Sequence, residues 1–287
     1  MIFGEYNRDP WDVKAEKATL ADIYGFWLEK RAPKLQDSNR SNLKTAYKYI
    51  SQLNNKIYKK IMKDDMQDCI DSCGKGYSTQ AIIKNLWGHL DKYAYEADVI
   101  TKRRSETLTS APIPESSKTP FTDAEVNKLW GIKNEPWVDT ILILMYTGFR
   151  ISELLDLRTE NVDWAEGTLK GGTKTKAGKD RLVPIHPKIE EFIRTYYDKS
   201  NEYLFDINGK KLTKGKYYEF WKDIMKKLNM KHTPHECRHT FRSRLDSAGA
   251  NNKCMDLLMG HKSEGTGAKI YCHKTLEELK ATILLIK

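Results

Sequence analysis

The sequence predicts a mainly α-helical chain with a small antiparallel sheet, built as an all-helical unit followed by a mixed α/β unit. Three observations point there. Residues 18–100 repeat apolar side chains three and four apart, the helical period. A stretch over 102–120, rich in Ser, Thr, Pro and basic residues, then interrupts the pattern. Beyond it, two short β-like runs flank a glycine-rich tip. A length of 287 residues suits about two domains at roughly 150 residues each.

The first helix is expected over 18–30, with Leu20, Ile23, Tyr24, Trp27 and Leu28 on one stripe. Ser38 or Ser41 is the expected cap of the next, whose apolar positions are Leu43, Tyr47, Ile50 and Leu53. A short helix over 64–73 ends at Gly74, and Ser78 starts a longer one carrying Ile82, Ile83, Leu86, Leu90, Tyr93 and Ala94. The stretch 102–120 reads as an extended linker. Thr122 with Glu125 forms a capping-box signature before Val126, Leu129 and Trp130. Residues 137–157 read as helical with a break at Thr147-Gly148. The β-like runs are Gly167-Thr-Leu-Lys170 and Arg181-Leu-Val-Pro-Ile185, joined by a basic hairpin tip. Helices are expected at 188–197, 214–229, 234–247 and 253–259. A final amphipathic stretch has Leu276, Leu279, Ile283 and Ile286 on one face, suited equally to packing on its own unit or on a neighbouring copy.

Hydrophobic residues make up 39% of the chain, enough for real cores and too much for wholesale disorder. The longest apolar runs, such as Ile141-Leu-Ile-Leu-Met145, fall far short of the ~20 residues of a membrane span. The first residues lack the basic-then-apolar pattern of a secretory signal, so a cytoplasmic protein is expected. Five cysteines without paired spacing read as free thiols. Neither Cys69 and Cys73 nor the run His232, His235, Cys237, His239 has a second ligand cluster, so no metal site is expected. The net charge is +10, and residues 209–244 carry 11 basic against three acidic side chains, interleaved with Tyr217, Tyr218, Phe220 and Trp221. Such a segment favours an anionic partner, nucleic acid first, against the plainer reading of a solvated helix face.

Five separated pieces stand out as one site. They are Thr147-Gly148-Phe149-Arg150-Ile151-Ser152-Glu153, Lys174 in the hairpin, His235-Glu-Cys-Arg238-His239, Gly260-His261, and Tyr271. Their order resembles the tyrosine recombinase (phage integrase) family, whose signature runs Arg, Lys, His-x-x-Arg, His or Trp, and Tyr. The motifs span about 150–271 and look most like integrases of conjugative transposons and of temperate phages of Gram-positive bacteria. About 17 residues precede the helical block, where integrases of this type often carry a small arm-site DNA-binding domain.

The resemblance implies an N-terminal extension over 1–17, a helical core-binding domain over 18–100, a basic linker over 101–119, and a tyrosine-recombinase catalytic domain with a tail helix over 120–287. It implies site-specific cutting and rejoining of DNA through a 3′-phosphotyrosine, integrating and excising a mobile element in a bacterial cytoplasm. Arg150 and Arg238 would hold phosphate oxygens with planar donor forks. His235 and Arg238, three apart, would share a helix face whose start at Pro234 adds a positive dipole end. His261 would donate to a nonbridging oxygen, Glu153 would hold Arg150 in place, and His239 would pack beside the site. Lys174, or in an alternative register Lys176, would protonate the leaving 5′-oxygen, and Tyr271 would be the nucleophile, in cis or in trans. Lys102, Arg103, Arg104, Lys176, Lys210, Lys211 and Arg242 are candidate DNA contacts. Double-stranded DNA, a homo-tetramer on paired sites and an accessory excision factor are the implied partners; no membrane, metal or other cofactor is implied. The rivals are a type IB topoisomerase-like monomer, a catalytically silent DNA-binding regulator and a metal-dependent nuclease.

Overall fold

The structure is a computed structural model that describes residues 17–115, 119–172, 178–261 and 274–287. Its contacts divide the chain into two compact units at residues 116 and 117. Among the described residues it is mostly helical with a small antiparallel sheet, as the sequence predicts. None of the described helices is long and apolar enough to cross a membrane.

Among the described residues the first unit has four α-helices: α1 (Leu20–Lys30), α2 (Asp37–Tyr47), α3 (Lys63–Asp71) and α4 (Tyr77–Glu96). Thr19 and Asp22 close a capping box at the start of α1, which buries Leu20, Ile23 and Trp27. Neither Ser38 nor Ser41 caps α2. The helix already runs from Asp37, an acid well placed in a first turn, and Gln36 before it is extended. That helix stops at Tyr47, so Ile50 is buried from the turn beyond it rather than from its stripe. The long α4 is the spine against which α1, α2 and α3 pack.

The stretch expected to run as an open linker is fastened to this unit through residue 111. Asp91, fully buried on α4, accepts hydrogen bonds from the Tyr58 hydroxyl at 2.8 Å and the Ser105 backbone N–H at 2.6 Å. Leu108 is buried. The Gln67 side chain pairs with the Thr109 backbone at both N–H and C=O, and Gln80 Oε1 accepts from the Ala111 N–H at 2.7 Å. Polar backbone that would otherwise need water is thereby satisfied by side chains, which is what turns the segment from linker to structure.

The second unit contains α5 (Asp123–Gly131), α6 (Val138–Thr147), α7 (Ile151–Leu155), α8 (Pro187–Tyr196), α9 (Lys214–Lys227), α10 (Pro234–Ser247), α11 (Asn252–Met259) and α12 (Leu276–Ile283). Strands β1 (Val162–Asp163), β2 (Thr168–Gly171) and β3 (Arg181–Pro184) form one antiparallel sheet in the order β1-β2-β3. A second hairpin pairs β4 (Asp206–Ile207) with β5 (Lys210–Lys211) through an Asn208-Gly209 turn in which both residues have positive φ. Asn-Gly between short runs is a strong hairpin signal, and it places Lys210 and Lys211 exposed on a rim. All of α6 but Asp139 is buried, so it serves as the core helix, packed by α10 and α8.

The tail packs on its own unit. Leu279, Ile283 and Ile286 are buried, His186 Nε2 donates to the Ile286 carbonyl at 3.0 Å, and the Tyr146 hydroxyl donates to the Lys287 carbonyl at 3.3 Å.

Gly148 ends α6 with φ +64°, and a Cβ there would lie 2.5–2.8 Å from the Phe241 ring. Gly148→Ala combines left-handed strain with overpacking and should cost roughly 2–4 kcal/mol. Urea unfolding of the full chain, followed by tryptophan fluorescence, reads this as a lowered midpoint.

Candidate active site

The break after α6 creates the site. Residues 148–150 turn the chain, so Arg150 sits at the N-cap of α7 rather than within a continuous helix. Its backbone N–H donates to Glu153 Oε2 and its Nη1 donates to Glu153 Oε1, both at 2.8 Å. Glu153 therefore holds Arg150 from both ends, while a fifth of the Arg150 side chain stays open to solvent.

Sequence reasoning missed the second partner of Glu153. Arg181, at the start of β3, donates through Nη2 to Glu153 Oε2 at 2.8 Å, with side-chain exposures of 5% and 1%. Burial alone would raise the Glu153 pKa; Arg181 and then Arg150 outweigh it and hold the carboxyl at about 2. Arg181 also donates Nε to the Leu258 carbonyl at 2.9 Å and Nη1 to Gly178 at 3.4 Å, and it lies 4.8 Å from the Phe149 ring centre. Hydrophobicity counting would turn Leu182 inward, yet Leu182 is 44% exposed. The available signal was register: Leu169 and Val183 pair across the sheet and both are buried, which puts Arg181, two residues before Val183, on the same inward face.

Arg238, buried on α10, donates Nη1 to the Gly148 carbonyl at 2.5 Å and Nη2 to the Met259 carbonyl and to His261 Nε2, the last at 3.0 Å. It thus joins the α6–α7 turn to the end of α11. Burial and the nearby Arg150 and Arg181 cations pull its pKa down to about 9, which leaves it charged at neutral pH. An arginine has only hydrogens to offer, so Nε2 of His261 is the unprotonated nitrogen and Nδ1 carries the proton. Burial, Arg238 and Arg242 lower the His261 pKa, favouring this neutral ring. Three guanidiniums face one carboxylate, an excess of two positive charges suited to an anion with forked acceptors.

His235 is exposed in the first turn of α10, with its ring 4.9 Å from that of His239. Glu236 closes a capping box with Thr233, and His232 lies between Glu236 at 3.4 Å and Glu125 at 3.2 Å. Lys174, Lys176 and Tyr271 lie outside the described residues. Of the candidate DNA contacts, Arg103 pairs with Glu106, Arg104 donates to the Lys59 carbonyl at 3.1 Å, Lys211 pairs with Asp156, and Arg242 pairs with Asp256 at 3.4 Å. Lys102 and Lys210 are exposed. Among the described residues, no cluster of three or more His, Cys, Asp or Glu is placed to hold a metal ion.

A family model described as the phage integrase family matches residues 121–278, more than half of the chain. The chain belongs to this family. The tyrosine recombinase XerA of Pyrococcus furiosus is 28% identical over 282 residues, covering 94% of each chain. The fold is shared with the integrase of the Tn1549 transposon, solved with circular intermediate DNA, at a TM-score of 0.70 and 23% identity over 92% of this chain and 98% of that one. It is shared too with a lambda integrase tetramer bound to a Holliday junction, at a TM-score of 0.74 and 16% identity over 92% and 84%. As a member, the protein is a tyrosine recombinase, a DNA strand transferase.

The low Glu153 pKa fixes a pH dependence. The folded value lies below the ordinary 4.5, so the stability due to this carboxylate is complete above about pH 4.5 and is lost as pH falls toward 2. The shift corresponds to roughly 3 kcal/mol. Urea unfolding at pH 6 should show Glu153→Gln less stable than the parent by about that amount, and the gap should narrow at pH 3.

Proposed function

We propose that this recombinase breaks a DNA strand with Tyr271 under the charge of Arg150 and Arg238. The observation that carries the reading is the convergence of Arg150, Arg238 and His261, which lie far apart in sequence, on one cation-rich site through the Gly148 and Met259 carbonyls. The Tyr271 oxygen attacks the scissile phosphorus, and the bond from phosphorus to the 5′-oxygen breaks. Lys174 gives that oxygen its proton, and a 3′-phosphotyrosine forms. His235, one turn before Arg238, offers an imidazole to take the phenolic proton. The proton on His261 Nδ1 is the one available to a nonbridging oxygen. The arginines match the charge that spreads over the phosphate oxygens in the transition state. A 5′-hydroxyl from the partner strand then reverses the chemistry, so rejoining needs no ATP.

The helical unit, the linker basic residues Lys102 and Arg103, and Lys210, Lys211 and Arg242 contribute to duplex binding in this reading. Arg104 is better explained as a tie to the Lys59 carbonyl. The lambda integrase tetramer on a Holliday junction supports a tetramer on paired sites, and the Tn1549 complex supports integration and excision of a mobile element. An accessory excision factor belongs to the same proposal.

Incubation with a nicked suicide duplex should trap a covalent complex in EDTA and without ATP, on the peptide containing Ile270-Tyr271-Cys272. Tyr271→Phe should abolish the complex while leaving duplex affinity nearly unchanged. An adduct on another tyrosine overturns the assignment, and a cut that needs Mg²⁺ without an adduct favours a nuclease. Recombination between two sites separates the proposal from a monomeric topoisomerase.

Lys174→Ala should slow cleavage ~10²–10⁴-fold. A leaving group with sulfur in place of the 5′-oxygen needs no proton and should restore the rate. Rescue of Lys176→Ala alone would move the acid to Lys176.

A further inference from the structure

A lone carboxylate facing Arg150 would cancel the charge that Arg150 brings to the site. Glu153 is 1% exposed and Arg150 20%, so solvent screens the pair only weakly and that cancellation would be strong. Yet Glu153 is shared. Oε1 takes Arg150 Nη1, whereas Oε2 takes Arg181 Nη2 and the Arg150 backbone N–H, each at 2.8 Å. We infer that Arg181 is a positioning residue for strand cleavage: by engaging one oxygen of Glu153 it leaves the Arg150–Glu153–Arg181 group with one net positive charge, so Arg150 is oriented by Glu153 without being neutralised by it. The inference rests on the reading of Arg150 as a phosphate-binding cation.

The surroundings of Arg181 are built to hold a cation where a buried one is costly. Its guanidinium lies over the Phe149 face and donates to the Leu258 and Gly178 carbonyls. Glycines make the room. A Cβ on Gly172 would lie 2.6 Å from Arg181 Nη1, and one on Gly260 would lie 3.2 Å from it and 2.7 Å from the Gly178 Cα. Arg181 and Arg238 also take consecutive carbonyls, those of Leu258 and Met259, at the end of α11 just before His261. A purely structural brace would need those carbonyl bonds but not the charge. A charge-setting residue needs the charge above all, and the two roles part on substitution.

The test uses the full chain and a nicked suicide duplex, with single-turnover cleavage rate, duplex affinity and thermal midpoint measured together. Arg181→Met should slow cleavage about 10–100-fold, less than the ~10²–10³-fold of a donor lost from the transition state because Arg150 itself remains, with affinity little changed. Arg181→Met with Glu153→Gln removes both charges and returns Arg150 to full effect, so most of the lost rate should come back. Arg181→Lys keeps the cation and should cleave close to the parental rate. An Arg181→Met protein as fast as the parent, a folded double variant with no recovery, or a folded Arg181→Lys as slow as Arg181→Met each overturns the inference. If either methionine-bearing variant lacks a thermal transition, the Arg181→Lys rate decides alone. Absence of an adduct in the parent protein would instead overturn the reading of Tyr271 and Arg150, which keeps the two failures apart.

Discussion

The buried Glu153 carboxylate is the constraint on which the catalytic unit depends. An acid excluded from water is tolerable only when its oxygens are hydrogen-bonded or paired, and at Glu153 two arginines of fixed geometry do this. Arg150 reaches it from the same turn of chain, and Arg181 from the first residue of β3. One side chain therefore ties the end of the core helix to the sheet, and Arg181 at the start of β3 is in turn held to the end of α11 through the Leu258 carbonyl. Removing either cation would leave Glu153 to pair with the other alone, so the three residues act as one group.

Arg238 repeats the device with backbone in place of carboxylate. Its guanidinium spans the Gly148 and Met259 carbonyls and meets His261, so Arg238, like Arg181, is aimed by acceptors from separate elements. The glycines at 148, 172 and 260 answer one demand, because each lets backbone approach where a Cβ would collide. In the proposed reaction, preorganisation of this kind would cost nothing at the moment of reaction, since the arginines are already held in place.

Much of this was legible in the sequence because it is local. The capping box of Thr122 and Glu125 is a matter of three residues, and the break at Gly148 is announced by the glycine itself. The recombinase motif order placed Arg150, Arg238 and His261 together before any coordinates did. Arg181 was not legible, because an exposed Leu182 beside a buried arginine inverts the usual hydrophobic alternation; only strand register reveals it.

The anchoring of residues 104–111 bears on where the helical unit ends. Asp91 is buried for the sake of two donors, and one of them, the Ser105 N–H, lies beyond the last long helix. A fragment cut at residue 100 would strip that donor away, unroof the pocket filled by Leu108, and leave Gln67 and Gln80 without their backbone partners. Among the described residues of this segment, the side-chain ties reach as far as Ala111. The autonomous boundary of the unit thus falls no earlier than Ala111, about fifteen residues past the end of its last long helix at Glu96.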